Sequence, residues 1–289
     1  METDFLRTLL RVAELGSMAQ AARSLDITPA AVAHQVRSLE LSLGAALVVR
    51  SGRTVLPTAA GHRLLERVRP LLTEVMQLRS AVQGPSYEGQ LNVGAINTVL
   101  HTVFAAVLER FAQRYPQVRL LVHAGMSQPL LEQVQQGRLD VAMCLHPQFE
   151  LPKTLGWAPL REEPLMVLAP ASLAAGDPLE LLQRQPFIRY DRSLGGGRQA
   201  DAYLRAHGIV TQERIELSSL LAIAMMVDRG LGVSLVPRID SPLTAALHTV
   251  HIPLPDPPPP RAFGVLWQRA GPREPLVQAF RLVAAEAVR

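Results

Sequence analysis

The residues best placed for chemistry in this 289-residue chain lie between 17 and 53, and their chemistry is donation of hydrogen bonds rather than bond cleavage. Thr28 followed by Pro29 is a helix start, because the hydroxyl caps free N–H groups and proline has none to lose. Behind them Val32, Val36, Leu39 and Leu43 recur at helical spacing and are expected to face inward. That leaves Ala30, Ala31, Ala33, His34 and Arg37 facing outward. Small side chains let a helix approach base edges closely, and His34 and Arg37 can donate to bases or phosphates. A shorter helical pattern precedes this one, capped by Ser17, with Ala21, Ala22 and Leu25 on one face and a turn at Asp26-Ile27. A hairpin is expected after it: a strand over 47–50, a turn at Ser51-Gly52 and a return strand over 53–56. Arg50 and Arg53 would then flank an exposed tip, as a wing touching DNA needs. By spacing alone the same residues also suit a packed helix pair.

A second set of polar residues follows strand patterns further along. Asn97 and Thr98 stand where a strand gives way to a helix, as does Ser127, and hydroxyls with free N–H groups there suit a polar or anionic ligand. Helix capping alone explains the same residues equally well. Ser218 and Ser219 open another helix. Leu145 and His146 end a strand, and Arg192 follows one and could pair with a carboxylate. Gly195-Gly196-Gly197 lacks the lysine and spacing of a nucleotide loop and reads as a flexible segment. Eight histidines are scattered without ligand spacing, no GxSxG occurs, and Cys144 is the only cysteine, which excludes an intramolecular disulfide. No catalytic constellation, metal or cofactor is expected. Glu162-Glu163 reads as structural.

These residues need elements to hold them. A first helix over 4–15 would brace the helical pair. A long helix over 59–83 carries Leu64, Val68, Leu71, Val75, Leu78 and Val82 along one seam, the signature of helix–helix pairing, with Pro70 expected to kink it. Gly84-Pro85-Ser86 reads as a hinge. Strands and helices then alternate: a strand over 91–95, a helix over 98–114, a strand over 118–123, a helix over 127–136 and a strand over 139–143. This is the order of a parallel sheet. The alternation restarts near 165, so two α/β lobes with a cleft between them are expected. The segment PLPDPPPP over 253–260 reads as a stiff extended loop.

Composition limits the alternatives. The chain is 48% hydrophobic with no apolar run long enough to span a membrane, and its start reads as an amphipathic helix, not a signal peptide, so a cytoplasmic place is expected. Net charge is +4, and residues 1–58 hold six arginines against five acids, a weak electrostatic signature.

The run AA..L..TPAAV.HQV..LE..LG, followed by T.AG at 58–61, resembles the winged helix-turn-helix of LysR-type transcriptional regulators. Three positions depart from the family pattern: Ala33 replaces a usual serine, Val48 a phenylalanine and Pro57 a leucine. GRLDVA at 137–142 and VDRGLGVSLVP at 227–237 are similar to the family's effector domain. The resemblance implies an α/β chain with an N-terminal winged helix-turn-helix (1–58), a linker helix and hinge (59–88), and a two-lobed, periplasmic-binding-protein-like effector domain (89–289). Lobe I would comprise 89–161 and 266–289 and lobe II 162–265, with crossings near 160–163 and 263–267. The implied partners are double-stranded DNA, a small-molecule effector and further copies of the chain, as a dimer or tetramer; no membrane partner is implied. A cytoplasmic solute-binding or carrier protein is the alternative for the two-lobed half, and an enzyme with an accessory helical domain has no constellation to support it.

Overall fold

The computed structural model describes residues 2–52, 54–83, 87–271 and 273–288. The chain divides into two compact units, 1–86 and 87–289.

In the first unit α1 (Thr3–Leu15), α2 (Met18–Leu25) and α3 (Pro29–Leu43) pack round one core, followed by β1 (Val48–Ser51), β2 (Thr54–Pro57) and α4 (Ala59–Gln83). The Ser17 hydroxyl accepts from the Gln20 N–H, and Asp26 makes the tight turn in a left-handed conformation, φ 55°. Val32, Val36 and Leu39 are buried as the spacing requires, but Leu43, on the last turn of α3, is 43% exposed. The hairpin pairs Ser51 with Thr54, so the turn starts one residue later than expected, at Gly52. Gly61 in α4 has no room for a side chain, since a Cβ there would lie 2.1 Å from the Leu47 carbonyl oxygen. The long helix continues through Pro70. Its seam is divided: Leu64 and Val68 join the core of this unit, as does Leu72 beside the seam, whereas Leu71 and Leu78 stay 39% and 69% exposed. The Val82 side chain, the Gly84-Pro85-Ser86 hinge and Arg53 lie outside the described residues.

The second unit begins with β3 (Gly89–Ile96), α5 (Asn97–Leu100), α6 (Phe104–Arg114), β4 (Val118–Gly125), α7 (Ser127–Gln135), β5 (Val141–Leu145) and β6 (Leu155–Glu163). It continues with β7 (Leu165–Pro170), α8 (Pro178–Arg184), β8 (Pro186–Tyr190), α9 (Gly195–Ala206), β9 (Gln212–Leu217), α10 (Leu220–Asp228), β10 (Ser234–Pro237) and β11 (Thr249–Pro253). It ends with β12 (Arg261–Gln268) and α11 (Glu274–Val288). The first lobe is a five-stranded sheet ordered β4-β3-β5-β12-β6, parallel among β4, β3 and β5 and antiparallel at β12. In the second lobe β10-β7-β11 is joined to β8-β9 by the parallel bridge between Phe187 and Val233.

Four expectations change here. The single helix over 98–114 is two helices broken at 101–103, where the Thr102 hydroxyl donates to the Thr98 carbonyl at 2.9 Å and so competes with the helical ladder. The triple glycine is no flexible segment but the first turn of α9. The return crossing lies before Arg261 rather than at 263–267, because all of β12 pairs with β6 in the first lobe. Finally α8, capped by Asp177, and strand β11 carry no periodicity strong enough to have marked them.

Gly197 seats α9 against the end of β8, since a Cβ would lie 1.9 Å from the Asp191 carbonyl oxygen. Gly197→Ala should therefore cost about 1–3 kcal/mol by overpacking. Calorimetry of the full chain should show the loss in the transition of the 87–289 unit, with that of the 1–86 unit unmoved.

Candidate nucleic-acid interface and interlobe cleft

The outward face of α3 is the first candidate. The Thr28 hydroxyl accepts from the Ala31 N–H at 3.1 Å, fixing the helix start. Thr28, Pro29, Ala30, His34 and Arg37 are exposed, and Ala31 and Ala33 half-buried, so none of the described residues of the unit covers this face. Two contacts hold it in place. The buried Thr8 of α1 donates its hydroxyl to the Gln35 side chain at 2.5 Å. Glu40 accepts from the Leu47 and Val48 N–H groups at 2.8 and 3.3 Å, tying the hairpin to the helix. The Val55 N–H donates to the Gly16 carbonyl at 2.8 Å, so the hairpin is anchored at the turn between α1 and α2 as well. Arg50 is exposed on β1; Arg53 is outside the described residues.

The second candidate is the space between the lobes. Asn97 and Thr98 of the first lobe and Ser218 and Ser219 of the second line one small cavity of about 20 Å³. His101, Ser241 and Thr244 complete its polar wall. The Ser219 hydroxyl caps α10 by accepting from the Ala222 N–H at 3.3 Å. Ser241 donates to the His101 carbonyl at 2.6 Å, a bond from the second lobe to the broken end of α5. Sequence reasoning missed His101 and Ser241, because the first was placed inside a continuous helix and the second sits in a loop without pattern.

The remaining expected residues lie elsewhere. Ser127 and Leu145 meet each other, the hydroxyl accepting from the Leu145 N–H at 3.3 Å. The His146 N–H donates to the Ala262 carbonyl, and its ring stands edge-on to Trp157 at 5.0 Å. Arg192 is engaged by Asp201, Glu213 and Glu216 of its own lobe, so its guanidinium is not free for an effector carboxylate. Glu213 in turn is held below the usual carboxylate range, chiefly by the hydrogen bond from the buried Arg189.

Where the chain crosses between the lobes, Glu163 is buried and accepts from Arg161 and from Arg261, each at 2.6 Å. The antiparallel register of β6 and β12 sets Glu163 directly opposite Arg261. The positive charge of Arg261 also acts on Tyr190 of the second lobe, countering the burial that pushes that phenol up.

Among the described residues no group of three or more histidine, cysteine, aspartate or glutamate side chains could hold a metal ion, and no helix is long and apolar enough to cross a membrane. Residues 85–289 match the LysR substrate binding domain, and residues 3–62 match the bacterial regulatory helix-turn-helix of the lysR family.

The chain belongs to the LysR family of transcriptional regulators.

It is 28% identical to the HTH-type transcriptional activator IlvY of Salmonella typhimurium, over 97% of this chain and 98% of that one. It is equally identical to the DNA-binding transcriptional dual regulator OxyR of Escherichia coli, over 98% and 93%. Full-length OxyR from Pseudomonas aeruginosa superposes with a TM-score of 0.78 at 25% identity, covering all of this chain and 95% of that one. CbnR complexed with its target DNA shares the fold at a TM-score of 0.56 and 20% identity, covering 99% and 100%. This LysR-family regulator thus combines a helix-turn-helix with an effector-binding domain.

Replacing Glu163 with glutamine leaves two arginines without their countercharge at the lobe crossing. Breaking such a buried pair costs about 3–5 kcal/mol. E163Q should accordingly melt at a distinctly lower temperature by circular dichroism, while the 1–86 unit keeps its own transition.

Proposed function

We propose that this regulator binds double-stranded DNA as a homo-oligomer, with the outward face of α3 in the major groove and the hairpin arginines on the backbone. Residues 1–58 read DNA, 59–88 hold two copies together, and 89–289 sense a small molecule. Thr28, Pro29, Ala30, Ala31, Ala33, His34 and Arg37 form the reading face, with Arg50 and Arg53 as wing contacts. The relative CbnR, solved with its target DNA, supports this division. An effector sits between Asn97-Thr98 and Ser218-Ser219 and shifts the population of lobe arrangements, and through it the spacing of the reading heads. The observation that carries the sensing role is the convergence of these four polar residues, from two lobes, on one cavity. Ser127 and Leu145 support β5 beside it, and Arg192 and His146 have structural roles. The chain regulates transcription rather than catalysing a reaction.

Peroxide sensing is a second reading, since the relatives include hydrogen peroxide-inducible genes activators. A thiol sensor needs an accessible thiolate. Cys144 is buried in β5, and burial pushes its thiol up to about 12. As the one cysteine of the sequence it also has no partner for an internal disulfide. A bound effector is therefore the favoured signal.

Two experiments test the DNA-bound oligomer. Arg50→Ala should weaken binding to the intergenic DNA beside its gene and lower the salt slope by about 1, with no change in melting temperature. An unaltered affinity and slope would remove the wing from the interface. Leu78→Asp puts a charge on the exposed part of the α4 seam, and analytical centrifugation should then find the monomer. Retention of the wild-type mass would mean that the oligomer forms through another surface.

A further inference from the structure

The chain returns from the second lobe to the first through residues 254–260, between the end of β11 and the start of β12. Pro257, Pro258, Pro259 and Pro260 follow one another there. Each proline ring holds its own φ at about −65°. Each residue from Asp256 to Pro259 also precedes a proline, which keeps it out of the helical region. The run is thereby confined to the extended polyproline form, which needs no internal hydrogen bonds. It lies outside every helix and strand, with Pro257, Pro259 and Pro260 exposed.

The crossing is anchored along its length. Leu254 is buried in the second-lobe core together with Tyr203 of α9. Asp256 lies close enough for its charge to act on the Tyr203 phenol, which burial and then this carboxylate push up. Gln199, one turn nearer the start of α9, donates its side-chain amide to the Pro259 carbonyl at 2.6 Å. Arg261, the first residue of β12, comes up against Gly196, where a Cβ would lie 2.9 Å from its guanidinium. Residues 196, 199 and 203 share one face of α9, so the crossing is laid along that face toward the helix start.

The other crossing is short. Pro164 alone separates β6 of the first lobe from β7 of the second, and its carbonyl accepts from the Arg238 N–H at 2.8 Å. One attachment of this kind is a pivot, about which two bodies can both swing and twist. A second attachment of fixed length leaves the swing about the line through both and removes the twist. We propose that the proline run is a strut: it holds α9 of the second lobe at a fixed distance from β12 of the first, so that the lobes open and close about one axis and do not twist. Restricting the motion to one rotation reduces the number of lobe arrangements among which an effector has to select.

The test is double electron–electron resonance on the full chain, with spin labels at Glu109→Cys on α6 and Gln183→Cys on α8, both exposed positions. Cys144 is buried, and burial pushes its thiol up to about 12, so the label goes to the introduced cysteines. Dilution with excess unlabelled chain removes distances between copies. The natural crossing should give one narrow distance distribution. Pro257→Ser, Pro258→Ser, Pro259→Ser and Pro260→Ser together should broaden it by on the order of 5 Å, the fluctuation expected of a flexible chain of this length. Gln199→Leu, which keeps the prolines and removes one anchor, should broaden it less. An unaltered width in the four-serine chain overturns the proposal, and so does a natural distribution as broad as that of the variant. A lower melting temperature with unaltered width overturns it as well, and would mean that the crossing only stabilises the second lobe. Should the four-serine chain not fold, Pro258→Gly, which frees a single link, is read by the same criterion.

Discussion

The buried carboxylate of Glu163 is the interaction on which the sensing half depends. A lone ionised group there would carry a desolvation penalty of several kcal/mol. Two arginines meet it, and each comes from a position that the fold dictates. Arg161 lies two residues back on the same strand, and Arg261 is opposite in the antiparallel register. Because the charge of Arg261 also acts on Tyr190, the cluster couples the sheet of one lobe to the end of β8 in the other. Gly196 sits against this same guanidinium, its missing Cβ leaving room for Arg261 and Pro237. Both chain crossings therefore meet at one charged cluster.

The reading half uses a different economy. Its helices are held by small polar contacts, Thr8 to Gln35 and Glu40 to the start of the hairpin, set on an apolar core of leucines, valines and alanines. These contacts fix the orientation of α3 while leaving its outer face bare. The low net charge of this half implies that binding relies on a few well-placed arginines and helix N-terminal groups more than on a general basic field.

The reading half was the more legible in sequence. Its signals are local: a hydroxyl cap before proline, apolar residues at helical spacing, and a short turn. Where it misled, at Leu43, the helix had run past the core it packs on. The sensing half was legible as alternating elements, because apolar runs such as LMVLA and VAMCL mark buried strands whatever their neighbours. Its cleft was only half legible. Asn97, Thr98, Ser218 and Ser219 announce themselves as polar residues between a strand and a helix, and of these Ser219 alone caps its helix by its side chain. Ser241 and the carbonyl of His101 enter through a loop and a helix break, which leave no periodic trace. Arg192 illustrates the opposite error, since its three acidic partners are distant in sequence and only the paired strands β8 and β9 with α9 bring them together.

We propose that this LysR-family chain reads a specific DNA site through paired α3 helices. Nuclease footprinting of the purified full chain on the DNA flanking its own gene tests this most directly. The expected result is a discrete protected region containing two half-sites spaced by whole turns of the duplex, about 10 base pairs or a multiple of that. Protection equal to that of unrelated DNA at the same salt concentration, with no half-site spacing, would contradict it.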